Sequence, residues 1–402
     1  MSDDVTVSLS IERQFVLSLA LAAFGTSMLD VLGGLFLIDI AMTFFGDASL
    51  ASVAVVSQIV TISTVFAVIF GVLSGFLSVK VNHKTLLLFG LLCVVVGTIG
   101  CFLAPSFLFI QIFFPLDGIG TIVVNAMAIA MIGESLPLEN RAKAVSYVKT
   151  AALISTAIGF ALGGYIAVIG GWQSYLIWYV LPISLVALGL AYFAIPSSRR
   201  TMAIPTERSY LVSFKNVLYN KSAMVCLFGT MLIAAAGAWS IFGSTFWRKQ
   251  FLVSVENTGL ISLLVIGIYA AGCFVGGRLV DRSGRKRLVV SSFMGRGLLI
   301  AMIPFMPNFW IALLVVCIAT IVGGISVTAG SSLNLELAPK SRGTMMSLAG
   351  VFGSAGISIG VAVGGVVLSS SGFQILGLVL GSIGVFSAVV VFFFAREPIK
   401  LQ

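Results

Sequence analysis

The chain has 402 residues, of which 59% are hydrophobic and only 9% charged, and its mean hydropathy is +1.14. A soluble domain carries roughly a quarter charged residues, so this composition excludes one and implies an integral membrane protein. The formal net charge of +9 comes from lysines and arginines spread over several loops with no aromatic-studded patch, which argues for membrane topology and against nucleic acid as a partner.

A helix needs about 20 mostly apolar residues to span a bilayer. Apolar runs broken by charge or turn clusters predict twelve such helices, near 14–38, 50–78, 85–103, 106–132, 145–169, 174–195, 222–246, 258–280, 288–305, 309–332, 344–369 and 373–395. The runs are continuous rather than alternating, which excludes a β-barrel and gives the fold class as an all-α integral membrane protein. The first run is too long for a signal-peptide core and has no small-residue cleavage site, so it is expected to stay in the mature protein. The polar segment from Pro196 to Lys221 falls at the midpoint. It divides the chain into an N-terminal six-helix bundle at 1–196, a linker at 197–221 and a C-terminal six-helix bundle at 222–402.

Orientation follows from the cations. With both termini cytoplasmic, every lysine and arginine except Arg248, Lys249 and Arg296 falls on the cytoplasmic side. The expected location is the cell membrane, as a multi-pass monomer whose linker is cytoplasmic. The five cysteines all lie in apolar runs and read as core residues without disulfides. With His83 as the single histidine, no metal site and no cofactor is expected.

An internal repeat is visible at a shift of 201. Arg141, Gly159, Gly163, Gly164 and Gly171-Trp172-Gln173 map onto Arg342, Gly360, Gly364, Gly365 and Gly372-Phe373-Gln374, and Gly71 and Gly75 map onto Gly272 and Gly276. Glu134 and Pro137 match Glu336 and Pro339 with a one-residue slip. Six helices thus recur in the same orientation, the parallel-repeat plan of secondary transporters, with the substrate site expected between the halves near the bilayer midplane.

Several residues stand out against this background. Asp30 and Asp117 are acids inside apolar helices, where a carboxyl group is costly unless it faces the bundle interior or a wet cavity. They are the candidate proton-coupling or substrate residues, while Asp39, nearer the outer end of its helix, is expected to be solvated. Gln58 and Asn125 are helix-embedded amides and candidate cavity residues. Arg296 is read as the one cation inside a helix, about 13 Å from its start and snorkelling to the cytoplasmic face. With so little buried positive charge, neutral or cationic lipophilic solutes are favoured. Gly159 and Gly163, like Gly360 and Gly364, recur at i, i+4 and suit close helix packing.

The loop Gly277-Arg-Leu-Val-Asp281-Arg282-Ser-Gly-Arg285-Lys-Arg resembles the signature loop of the major facilitator superfamily, as does Glu134-x-x-Pro137-x-x-x-Arg141 after the fourth helix. Gly159-Phe-Ala-Leu-Gly163-Gly164 is similar to the helix 5 motif of that family's twelve-helix drug:proton antiporters. Here Phe160 replaces the usual proline, and Phe114 replaces an arginine expected in helix 4. The resemblance implies two pseudo-symmetric bundles and secondary active transport of a small molecule by alternating access, with protons as the coupling ion and export of a lipophilic or cationic compound. Proton-linked import of a neutral solute such as a sugar or nucleoside is the alternative, and a non-transporting membrane sensor or scaffold is a third reading. No nucleophile–base pair or phosphate-binding loop suggests an enzyme. Asp281 and Arg282, with Gly277 and Arg285, are the candidate gate latch; in the first half Lys80 stands for Asp281, Val81 for Arg282, His83 for Gly284 and Lys84 for Arg285, so the latch is expected on one side only.

Overall fold

The computed structural model describes residues 2–195, 215, 217–338 and 341–395, and within these the side chains of residues 2–13, 79, 138, 142 and 281–283 are not described. Most of the expected linker at 197–221 therefore lies outside the described residues. In a bilayer each backbone polar group must be satisfied within its own segment, and these apolar runs meet that demand as helices. The membrane helices are α1 (Gln14–Leu35), α2 (Leu50–Ser78), α3 (His83–Phe102), α4 (Phe107–Ser135), α5 (Glu139–Gly170), α6 (Trp172–Ala194), α7 (Lys221–Gln250), α8 (Val255–Val280), α9 (Arg285–Phe305) and α10 (Phe309–Leu337). The last helical stretch, Arg342–Phe394, is broken at Gly372, whose φ of 75° suits a glycine. This gives α11 (342–371) and α12 (373–394), twelve membrane helices among the described residues.

Helix starts are set by local capping. The Ser49 hydroxyl accepts the Ser52 amide at 3.1 Å, and Asn82, Asn220 and Asn308 cap α3, α7 and α10 in the same way. Ahead of α2, the Asp47 carboxylate accepts the Ser52 hydroxyl and the Ser49 amide, which hold its pKa below the ordinary 3.8. Some boundaries differ from the sequence reading. α5 starts at Glu139 rather than near 145, and α7 runs on to Gln250, so Arg248 and Lys249 occupy its last helical turn instead of a loop.

The helices pack in two groups of six. In the first, α1 lies against α5 and α6, and α4 lies against α2 and α3; in the second, α7 packs on α11, α9 on α12 and α8 on α10. The two groups meet along α2 with α11 and α5 with α8. One end of the assembly carries Lys84, Arg141, Lys221, Arg285 and Arg342 at helix termini and is termed the basic face. The other is the opposite face.

The glycine rows set these packings. A Cβ at Gly159 would stand 2.7 Å from the Tyr175 hydroxyl and 2.9 Å from Val31, and one at Gly163 would press on Phe36 and Tyr175, so this row seats α5 on α1 and α6. In the second half a Cβ at Gly360 would run into the Ala235 carbonyl and one at Gly364 would lie 2.7 Å from Phe242, which seats α11 on α7. Equivalent glycines thus make equivalent contacts, as the repeat requires.

Candidate functional site

The site is built around an interruption in α1. Regular helix stops at Thr26 and resumes at Asp30, so carbonyls around the gap lose their i+4 amide partners, and those of Phe24 and Met28 keep only i+3 contacts from the Ser27 and Val31 amides at 3.4 and 3.3 Å. Four hydroxyl groups from neighbouring helices take their place. Ser155 donates to the Phe24 carbonyl at 2.6 Å, Thr121 to Thr26 at 3.0 Å, Thr156 to Ser27 at 3.3 Å and Tyr175 to Met28 at 2.9 Å. Helices α4, α5 and α6 therefore clasp the break, and a π-helical turn at Leu176–Val180 follows Tyr175 directly. Such turns are frequent at functional sites.

The clasp brings Asp30 and Asp117 together. Asp30 begins the short helix after the break, and Asp117 lies in the first turn after Pro115, where α4 is itself interrupted at Phe114. The two carboxyl groups adjoin one another although 87 residues separate them in sequence. Their surroundings differ. Asp117 is fully buried and neither of its oxygens receives a hydrogen bond from any donor group. Asp30 lies deep in the protein yet its side chain is accessible, so it opens onto an internal cavity. A proton carried by either carboxyl would let one donate to the other and engage one of the orphaned oxygens, whereas two ionised groups would place like charges side by side in apolar surroundings. Close packing holds the arrangement: a Cβ at Gly118 would strike the Ser63 backbone and one at Gly33 would strike Val60.

Asn125 donates to the Thr121 carbonyl at 2.9 Å, and its side-chain oxygen accepts from Lys149 at 3.3 Å. Lys149 is enclosed by protein but accessible, another cavity-facing group. It lies within the helix expected at 145–169 and so corrects the reading of Arg296 as the single cation inside a helix. Gln58 goes elsewhere. Its amide abuts Gly365 of α11 and bonds to the Ala54 carbonyl at 3.2 Å, which places it in the seam between the halves rather than in the cavity. Arg296 does not snorkel to the basic face either. Its guanidinium turns inward to Gly237 of α7 and Gly323 of α10, which have no side chain to obstruct it.

On the basic face, Asp281 and Arg282 fall in helical backbone, but their side chains lie outside those described. Gly277 has open space around its Cβ position, so no close approach requires a glycine there. Arg285 pairs with Glu336, and His83 meets Glu134 at 3.0 Å. Each contact lies within its own half, joining the start of α3 to the end of α4 and the start of α9 to the end of α10, although at a shift of 201 Arg285 corresponds to Lys84, which donates instead to the Tyr192 carbonyl at 2.7 Å. An ion pair that joins the halves stands on the opposite face instead: Arg248 grips Asp39 in a bidentate contact of 2.5 and 2.9 Å. Asp39 is therefore paired rather than solvated. Sequence reading missed this pair, although one signal was present: Asp39 and Arg248 lie near the outer ends of the first helix of each half. Nearby, Ser244 donates to the Gly34 carbonyl, and Gly164 and Gly259 bring α5 and α8 into backbone contact. Among the described residues no three His, Cys, Asp or Glu side chains converge as metal ligands would.

Comparison with known proteins agrees with this architecture. The chain is 24% identical over 317 residues to the uncharacterized MFS-type transporter YceJ of Bacillus subtilis (strain 168), covering 78% of this chain and 79% of that protein. It is 25% identical over 124 residues to the multidrug resistance protein MdtG of Dickeya zeae (strain Ech586), which is 31% of this chain and 30% of the relative. Among solved structures, a D-xylose–proton symporter superposes with a TM-score of 0.81 at 15% identity, covering 96% of this chain and 98% of that one, a likeness of fold alone. The family model described as Major Facilitator Superfamily matches residues 15–247 and 226–401, and the chain, with its two six-helix repeats, belongs to that superfamily of membrane transporters.

Proposed function

We propose that this transporter moves a small lipophilic organic solute across the cell membrane by alternating access, exporting it in exchange for protons. The observation that carries the reading is the Asp30–Asp117 pair, one carboxyl group facing the cavity and the other sealed behind it. A proton exchanged with the cavity through Asp30 would change the charge of the pair at the break in α1. The clasping hydroxyls of α4, α5 and α6 tie that break to the rest of the N-terminal bundle, which gives the charge change a route to the packing of the halves. Proton relays through intramembrane acids follow the same logic. Export is supported by the likeness to MdtG. In this reading the basic face is cytoplasmic, with both termini and the linker, because cytoplasmic loops carry the excess of lysine and arginine. Bundles split at 1–196 and 222–402 are the two moving bodies. The contacts at Asp39–Arg248 and Ser244–Gly34 close the outer side, with the cavity reached from the cytoplasm. Cationic solutes are disfavoured by Lys149 and Arg296.

The test uses proteoliposomes holding a pH-sensitive dye. Addition of a transported solute should move protons in the wild-type protein, and Asp30→Asn should abolish that movement. Unchanged proton movement in Asp30→Asn would remove the acid pair from the mechanism.

A further inference from the structure

We propose that the C-terminal half contains an anion-binding subsite centred on Arg296, and that the solute it receives is a lipophilic carboxylate. This rests on the reading of the chain as a solute transporter and specifies the chemistry of its substrate. Arg296 lies about 16 Å along α9 from Arg285 at 1.5 Å per residue, near the middle of the membrane. Its guanidinium occupies a slot between two helices. A Cβ at Gly237 of α7 would stand 2.8 Å from Nη2, and one at Gly323 of α10 would stand 3.3 Å from Nε. Gly323 is the midpoint of the 29-residue α10, so the side chain stays at mid-membrane depth instead of returning to the basic face. Tyr269 of α8 is its electrostatic neighbour.

No carboxylate among the described residues answers this charge. Asp39 is taken by Arg248, Glu336 by Arg285 and Glu134 by His83, while Asp30 and Asp117 face each other in the other half. Arg296 nevertheless remains partly accessible. An arginine held inside a membrane bundle without a counter-ion is costly, and such residues mark substrate or ion pathways. A guanidinium offers a planar fork of donors that matches a carboxylate bidentately. Lys149 of the first half, enclosed by protein beside Asn125, is a second such cation and favours the same sign of solute. The apolar walls of the bundle suit the remainder of a lipophilic molecule.

Calorimetric titration of the full chain in detergent tests the proposal with 4-phenylbutyrate, its amide and 4-phenylbutylammonium, which share a hydrophobic body. The carboxylate should bind about tenfold or more tighter than the amide, the preference expected of one charge-assisted contact. Arg296→Gln should erase that preference while leaving amide binding unchanged, and Arg296→Lys should keep part of it. Equal binding of carboxylate and amide by the wild-type protein, no binding of the carboxylate, or an equal loss for all three compounds in Arg296→Gln would overturn the proposal. The wild-type comparison stands even if the glutamine variant fails to fold. Because the titration involves no gradient, Asp30→Asn/Asp117→Asn should retain the carboxylate preference, and a failure of proton coupling is thereby separated from a failure of this subsite.

Discussion

Asp30 and Asp117 show how far single residues can be read. Each was legible as an acid in an apolar run, because insertion costs alone make such groups suspect. Their adjacency was not, since it depends on how two helix interruptions pack together, one after Thr26 and one at Phe114, of which only the second carries a local signal, Pro115. Lys149 was hidden for a simpler reason: it lies close to the polar start of α5, where a cation reads as a topology signal. Asp39 and Arg248 were each visible near a helix end, and only tertiary structure pairs them. A double-mutant cycle on Asp39→Asn and Arg248→Gln should give a coupling of about 1–2 kcal/mol, between an exposed pair and a buried one. The exchange Asp39→Arg with Arg248→Asp should recover most of the lost function, as measured by solute flux. No recovery would show that these residues act separately.

At the level of helices, the repeat and the glycine rows were readable because spacing of i, i+4 survives in sequence. The packing partners follow from the fold. A Cβ at Gly360 would enter the Ala235 carbonyl, and backbone cannot step aside. Gly360→Val should therefore cost about 1–3 kcal/mol of stability, seen as a lowered melting temperature in detergent. Gly277, a residue of the signature loop, has open space where its side chain would be. Gly277→Ala should leave the melting temperature unchanged, and a loss equal to that of Gly360→Val would contradict the packing account. The clasp on α1 makes a third prediction. Tyr175→Phe removes the hydroxyl that donates to the Met28 carbonyl and should destabilise the fold by about 0.5–1.5 kcal/mol, the net worth of one hydrogen bond, since that carbonyl keeps the Val31 amide at 3.3 Å. Sequence pattern could not reveal this clasp, because serine and threonine in a membrane helix usually bond within their own helix, and nothing local shows which carbonyl a tyrosine hydroxyl will reach.

For the whole molecule, composition determined the class and the repeat determined the plan. The expected latch at Asp281 and Arg282 remains a proposal, and the pair described between the halves is on the opposite face, at Asp39–Arg248. In the proposed reading, a transporter closed there and reached from the basic face is one end of an alternating cycle, and release of the pair would belong to the other. In that reading the first half supplies the acid pair and the second supplies Arg296. The account therefore separates coupling from recognition, with the proton held in one bundle and the solute's charge in the other. One measurement tests this most directly: solute exchange at equal pH, compared with uphill transport driven by a pH gradient, in Asp30→Asn/Asp117→Asn proteoliposomes. The account predicts that exchange persists while gradient-driven accumulation is lost; accumulation at the wild-type level in the double variant would contradict it.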